Sequence, residues 1–108
     1  MSTYAIFFTL KGETIKGFMD KPSDRAAVVS TLCEAAGGRM LSYYFMFGAW
    51  DGFVIAEVPD SAAAAAVSLA VSSTGAFAHL ETHELIEAAA MTDLLATAKG
   101  LTYTPPGA

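Results

Sequence analysis

Residues Gly37 to Asp60 read GGRMLSYYFMFGAWDGFVIAEVPD: two apolar runs separated by a short glycine-framed turn. Arg39 to Phe47 reads as one strand and Phe53 to Val58 as the next, because aromatic and β-branched side chains suit a pleated sheet. Gly48 to Gly52 supplies the turn, and Pro59-Asp60 ends the second strand. The segments on either side of this hairpin decide the fold. Upstream, Thr3 to Leu10 (TYAIFFTL) is a strand, and Glu13 to Met19 has room for one or two helical turns. Pro22 interrupts those turns. A clear helix follows, capped by Ser23 or Asp24, with Val28, Leu32 and Ala35 or Ala36 on one face and Gly37-Gly38 as its stop. Downstream, Asp60 caps a helix over Ser61 to Thr74, and Gly75 ends it. Phe77 to Ile86 is the fourth strand. Glu87 to Lys99 is a third helix with Met91, Leu94, Leu95 and Ala98 along one face, ended by Gly100 and followed by a short extended tail. The order is β-α-β-β-α-β plus a C-terminal helix. That order predicts an α+β, ferredoxin-like single domain over residues 1–108, with a four-stranded antiparallel sheet and helices on one face.

The strands are apolar on both sides. Tyr4, Ile6 and Phe8 point one way, Ala5 and Phe7 the other. In the second strand Leu41, Tyr43, Phe45 and Phe47 oppose Met40, Tyr44 and Met46. In the third, Phe53 and Ile55 oppose Val54, Ala56 and Val58. An antiparallel sheet with one wet face should alternate apolar with polar, and this one does not. Two helices cover only one face. A second copy in a two-fold homodimer, with higher assembly left open, is the economical cover for the other. The third helix is the alternative cover. Composition points the same way, since 54% of residues are hydrophobic and only 16% charged, more apolar side chain than a small surface hides.

Several function classes fall away. The formal net charge is −5 and no run of Lys and Arg occurs. This argues against nucleic acid and anionic membrane surfaces as partners. Ser61 to Leu80 lacks charged residues and is long enough to span a bilayer, but it is mostly Ala and Ser, with Gly75 and His79 inside it. A helix followed by a strand explains it better. The single cysteine, Cys33, allows no intramolecular disulfide and no multi-cysteine zinc site, and reads as a buried inert thiol. The N-terminal residues lack signal-peptide features, so a cytoplasmic location is expected. Nothing in the sequence requires a cofactor.

STYAIFFTL at the start, GGRMLSYYFMFGAWDGFVIAEVPDSAAAA in the middle and HLET in the fourth strand resemble the GYD family. Its name records a Gly-Tyr-Asp motif. Here Trp50 stands where the motif has Tyr, and Ala49 separates it from Gly48. The resemblance covers roughly residues 3 to 98 and implies a dimeric α/β-barrel of the ferredoxin-like group. Relatives in that wider group include monooxygenases, haem-handling enzymes and small-ligand sensors, so fold alone does not select an activity.

Three places carry candidate chemistry. Trp50-Asp51 is either a hairpin loop, with Asp51 bonding nearby N–H groups and Trp50 burying apolar surface, or a pocket mouth. In the second case Asp51 is a base or ligand anchor and Trp50 a stacking wall. His79, Glu81 and His83 lie two apart on a strand and share a face. Two imidazoles and a carboxylate can ligate zinc, iron or copper, or His79 and His83 can act as acid or base. An ordinary polar stripe, paired with Arg39, a lysine or solvent, is the plain alternative. Tyr43 and Tyr44 face opposite sides, and whichever reaches a cavity can bind a ligand. Three functions follow. The leading one is small-molecule binding between sheet and dimer partner. The others are an oxygenase- or isomerase-type enzyme and an interaction module without a ligand.

Overall fold

The computed structural model describes residues 1–107. Its elements run β1 (Ser2–Leu10), α1 (Gly12–Asp20), α2 (Arg25–Ala35), β2 (Arg39–Phe45), β3 (Gly52–Val58), α3 (Ser61–Ser72), β4 (Phe77–Glu84), a 3₁₀ turn (Ala88–Ala90) and α4 (Met91–Lys99). The sheet is open and antiparallel, in the order β2-β3-β1-β4. This is the α+β, ferredoxin-like arrangement that the element order predicts.

Local chemistry sets the helix ends. Of the two caps available to α2, Asp24 is the one used, its carboxylate accepting the Ala27 N–H at 3.0 Å. Asp60 does the same for α3, accepting from Ala63 at 2.9 Å. Each cap is worth about 1 kcal/mol. Gly37 and Gly75 stop α2 and α3 at φ values of 87° and 74°, a region that an L side chain seldom adopts.

The core lies between α2, α3 and one sheet face. Ile6, Phe8, Val54 and Ala56 pack there against Cys33 and Val67, while Tyr4 and Val58 pack against Ala64. Cys33 is fully buried, and burial, with Glu34 adding, pushes its thiol pKa up. It is the inert core thiol that the sequence suggests.

The structure corrects the sequence reading at five points. α1 is a full nine-residue helix rather than a turn or two. β2 ends at Phe45, and Phe47 is fully exposed in the loop. Alternation in β2 breaks at a β-bulge: Met40 pairs with Ala56, yet Ser42 pairs with Ile55. The extra residue puts Met40 on the helix side with Tyr43, where strict alternation had set the two on opposite faces. β4 ends at Glu84, before Ile86. The last helix starts at Met91 rather than Glu87, after the 3₁₀ turn.

The largest departure concerns the alternative cover for the sheet. Every residue of α4 is exposed, and α4 packs chiefly on the 3₁₀ turn before it. The radius of gyration is 17.4 Å, with a longest extent of 58 Å. A compact chain of this length has a radius near 13 Å. α4 is therefore an arm, and within the chain the sheet's second face stays open. Among the described residues no helix is long and apolar enough to cross a membrane.

Candidate functional site

The open face is built from every second residue of the four strands. Register places Tyr44 of β2, Phe53 of β3, Phe7 of β1 and Glu81 of β4 in one row. Phe53 stacks on Phe7 and on Tyr44, with ring centroids 5.5 Å apart in both pairs. Such pairs add about 0.5–1.5 kcal/mol beyond area burial. Tyr44 remains 60% exposed, so the β2 end of this row is apolar surface open to solvent within the chain.

His79 and His83 flank the row on β4, opposite Thr9 and Ala5 of β1. Glu81 lies between them and bridges them: His79 Nε2 donates to Oε1 at 3.1 Å and His83 Nε2 to Oε2 at 2.9 Å. Thus the three side chains do converge, and on the same face as Phe7 and Phe53. Arg39 is not their partner, since its guanidinium pairs with Glu57 at 2.7 Å. The ring nitrogens nearest the carboxylate are used in hydrogen bonds, and among the described residues no group of three or more His, Cys, Asp or Glu forms a metal cage.

The bonds from His83 and then His79 hold the Glu81 carboxyl below the usual glutamate range, burial opposing them. Stability from the ionised carboxylate is therefore present above the ordinary glutamate pKa and is lost as pH falls through the lowered one. In a carbon-detected NMR titration, Glu81 should have the lowered midpoint, and His79→Phe with His83→Phe should return it toward the ordinary value. An unchanged midpoint in the double variant would assign the shift to another cause.

Trp50 and Asp51 divide the two readings of the turn between them. Trp50 belongs to the open face: its ring stacks on His79 at 5.5 Å and tilts against Phe7 at 5.7 Å. It walls the aromatic row at the His79 end. Asp51 instead ties the hairpin to β1. Its Oδ2 accepts the Leu10 N–H at 2.7 Å, its own N–H donates to Phe8 O at 2.9 Å, and its carbonyl accepts from Met46 at 2.8 Å. These are the contacts of the loop role. Asp51→Ala orphans the Leu10 N–H and should destabilise by about 1–3 kcal/mol. Asp51→Asn, which keeps an acceptor, should recover part of the loss in urea denaturation.

Tyr43 and Tyr44 do face opposite sides. Tyr43 lies under the helices, its ring edge-on to Phe8 at 5.9 Å. Burial raises its hydroxyl pKa, and the nearby Arg25 charge works against that rise. It floors an apolar cleft of about 440 Å³ between α1, α2 and α3, whose walls include Phe18, Val29, Leu32, Val71 and Phe77. Arg25 stands at this cleft, its guanidinium carbon 5.6 Å from the Phe18 ring centre. Neither Phe18 nor Arg25 stands out in the sequence. The available signal was their position on either side of the Pro22 break, which is informative only once α1 is known to be a complete helix.

A comparison with curated proteins gives no match. The GYD domain model matches residues 4–95, which takes in all of the sheet but the first two residues of β1, together with its aromatic open face and the Asp51 clamp. The chain belongs to the GYD domain family.

Proposed function

We propose that the chain works as a homodimer in which two open sheet faces meet, in the manner of a dimeric α/β barrel, and that the enclosed chamber binds a small molecule. The single observation that carries this reading is the uncovered aromatic row of Tyr44, Phe53 and Phe7, with Trp50 at its end. Aromatic residues on an exposed patch favour burial against a partner. Helices α2 and α3 occupy the opposite face, and α4 does not reach across. The Glu81 bridge places a polar, hydrogen-bonding group beside that row. An apolar wall with a few convergent polar groups is the usual make-up of a small-molecule site.

One observation favours a second reading, a small oxygenase- or isomerase-type enzyme. Glu81 holds two imidazoles by one ring nitrogen each, an arrangement that orients His79 or His83 as acid or base. One oxygen of Asp51, the third acid-or-base candidate, is committed to the Leu10 N–H.

Native mass spectrometry of the untagged protein, purified without chelator, tests the binding reading. The expected species is a dimer carrying extra mass. A dimer at twice the chain mass with nothing added would favour an interaction module, and a monomer would remove the chamber altogether.

A further inference from the structure

A cleft lies on the other side of the sheet, away from the proposed dimer face. We propose that the cleft between α1, α2 and α3 binds a small apolar monocarboxylate, with the carboxylate on Arg25 and the hydrocarbon body over Leu32, Val71 and Phe77.

Size and lining come first. About 440 Å³ falls within the range of small-ligand pockets. The cleft continues downward into a small gap of about 40 Å³, floored by Phe8, Val54 and Leu80 of the inner sheet face. α2 and α3 pack on the sheet more than on each other, which leaves this channel between them. Its walls are aliphatic and aromatic, so the body of a ligand must be apolar.

The polar groups then select the head. Arg25 is the one charged residue lining the cleft. It is half-buried, and among the described residues the ion pairs join Arg39 to Glu57 and the two histidines to Glu81, leaving Arg25 without a carboxylate partner. Its neighbour Asp24 is turned away to cap α2. The Phe18 ring beneath the guanidinium holds the charge at the cleft instead of letting it extend into solvent. The two threonines give their protons elsewhere, Thr14 to Ala76 O at 2.7 Å and Thr74 to Val71 O at 2.8 Å. The charged donor left for a ligand is therefore a single planar guanidinium, with the Tyr43 hydroxyl at the cleft floor as a neutral one. That geometry matches one carboxylate in two parallel hydrogen bonds, whereas a phosphate dianion calls for more donors.

Decanoate is a suitable probe, with 1-decanol as its neutral counterpart. Amide NMR titration should show decanoate moving the signals of Val29, Val71 and Phe77 and leaving those of His79 and Glu81 in place. Arg25→Gln should weaken decanoate roughly tenfold to a hundredfold, the loss expected for hydrogen bonds to a charged group. It should leave decanol unchanged. Ala70→Trp, placed on the exposed rim of α3, should fill the cleft and abolish decanoate binding while the spectrum keeps its dispersion. No decanoate binding, equal affinity for decanol, an unchanged affinity in Arg25→Gln or Ala70→Trp, or shifts on the Trp50 face would each overturn the proposal.

Discussion

Phe53→Glu is expected to leave the chain folded and to make it monomeric. Phe53 is the middle of the aromatic row, with Phe7 on one side and Tyr44 on the other. In the proposed dimer it lies near the centre of the buried face, so the variant introduces a carboxylate where water is excluded. Each dimer acquires two of them close to the two-fold axis. A charge buried without a partner costs several kcal/mol. The dimer dissociation constant should rise by at least about a hundredfold, equivalent to about 2.7 kcal/mol. The fold should survive, because Phe53 points away from the core of Ile6, Phe8, Val54 and Ala56. Sedimentation velocity reads the mass and circular dichroism the fold. A wild-type-like dimer in this variant would mean that the aromatic row is not the interface.

Gly38→Ala should cause the largest loss of folding stability among the glycine substitutions. A Cβ at Gly38 would stand 1.9 Å from the Glu57 carbonyl oxygen and 2.9 Å from the Val58 Cα, both backbone atoms of β3. No side-chain rotation relieves that clash. The start of β2 must move off β3, which strains the Arg39–Glu57 pairing and the bulge that follows. A loss of roughly 3 kcal/mol is expected, at the upper end for overpacking. For a domain of this size that lowers Tm by about 10–20 °C. Gly17→Ala is the matched contrast. Gly17 sits inside α1, and an added Cβ meets nothing within 4 Å. Alanine's better helix propensity should stabilise the chain there by about 0.5–1 kcal/mol. If both variants melted like the wild type, the tight crossing of the α2–β2 turn over β3 would be wrong.

What the sequence made legible was local. The apolar runs located the four strands, and the Ser23-Asp24 pair and Asp60 located two helix starts, because capping involves residues three apart. The two apolar sheet faces were visible because side chains alternate along a strand. The bulge was not visible, since Met40 and Leu41 are both apolar and an inserted residue leaves no trace in such a run. Spacing placed His79, Glu81 and His83 on one face, but which face followed from the pairing of β4 with β1. The turn around Asp51 was readable, whereas its bond to Leu10 spans 41 residues. The apolar stripe of α4 was also readable, and nothing in it revealed that the helix stands away from the body. The Arg25 cleft depends on three helices meeting above Tyr43, so no single stretch announces it.

The most direct test of the covered open face is an isotope-filtered NOE experiment on a mixture of ¹³C-labelled and unlabelled chains. The expected result is a set of contacts between protomers from the rings of Phe7, Phe53 and Tyr44. Contacts confined to other surfaces, or no contacts between chains at all, would contradict a dimer built on this sheet face.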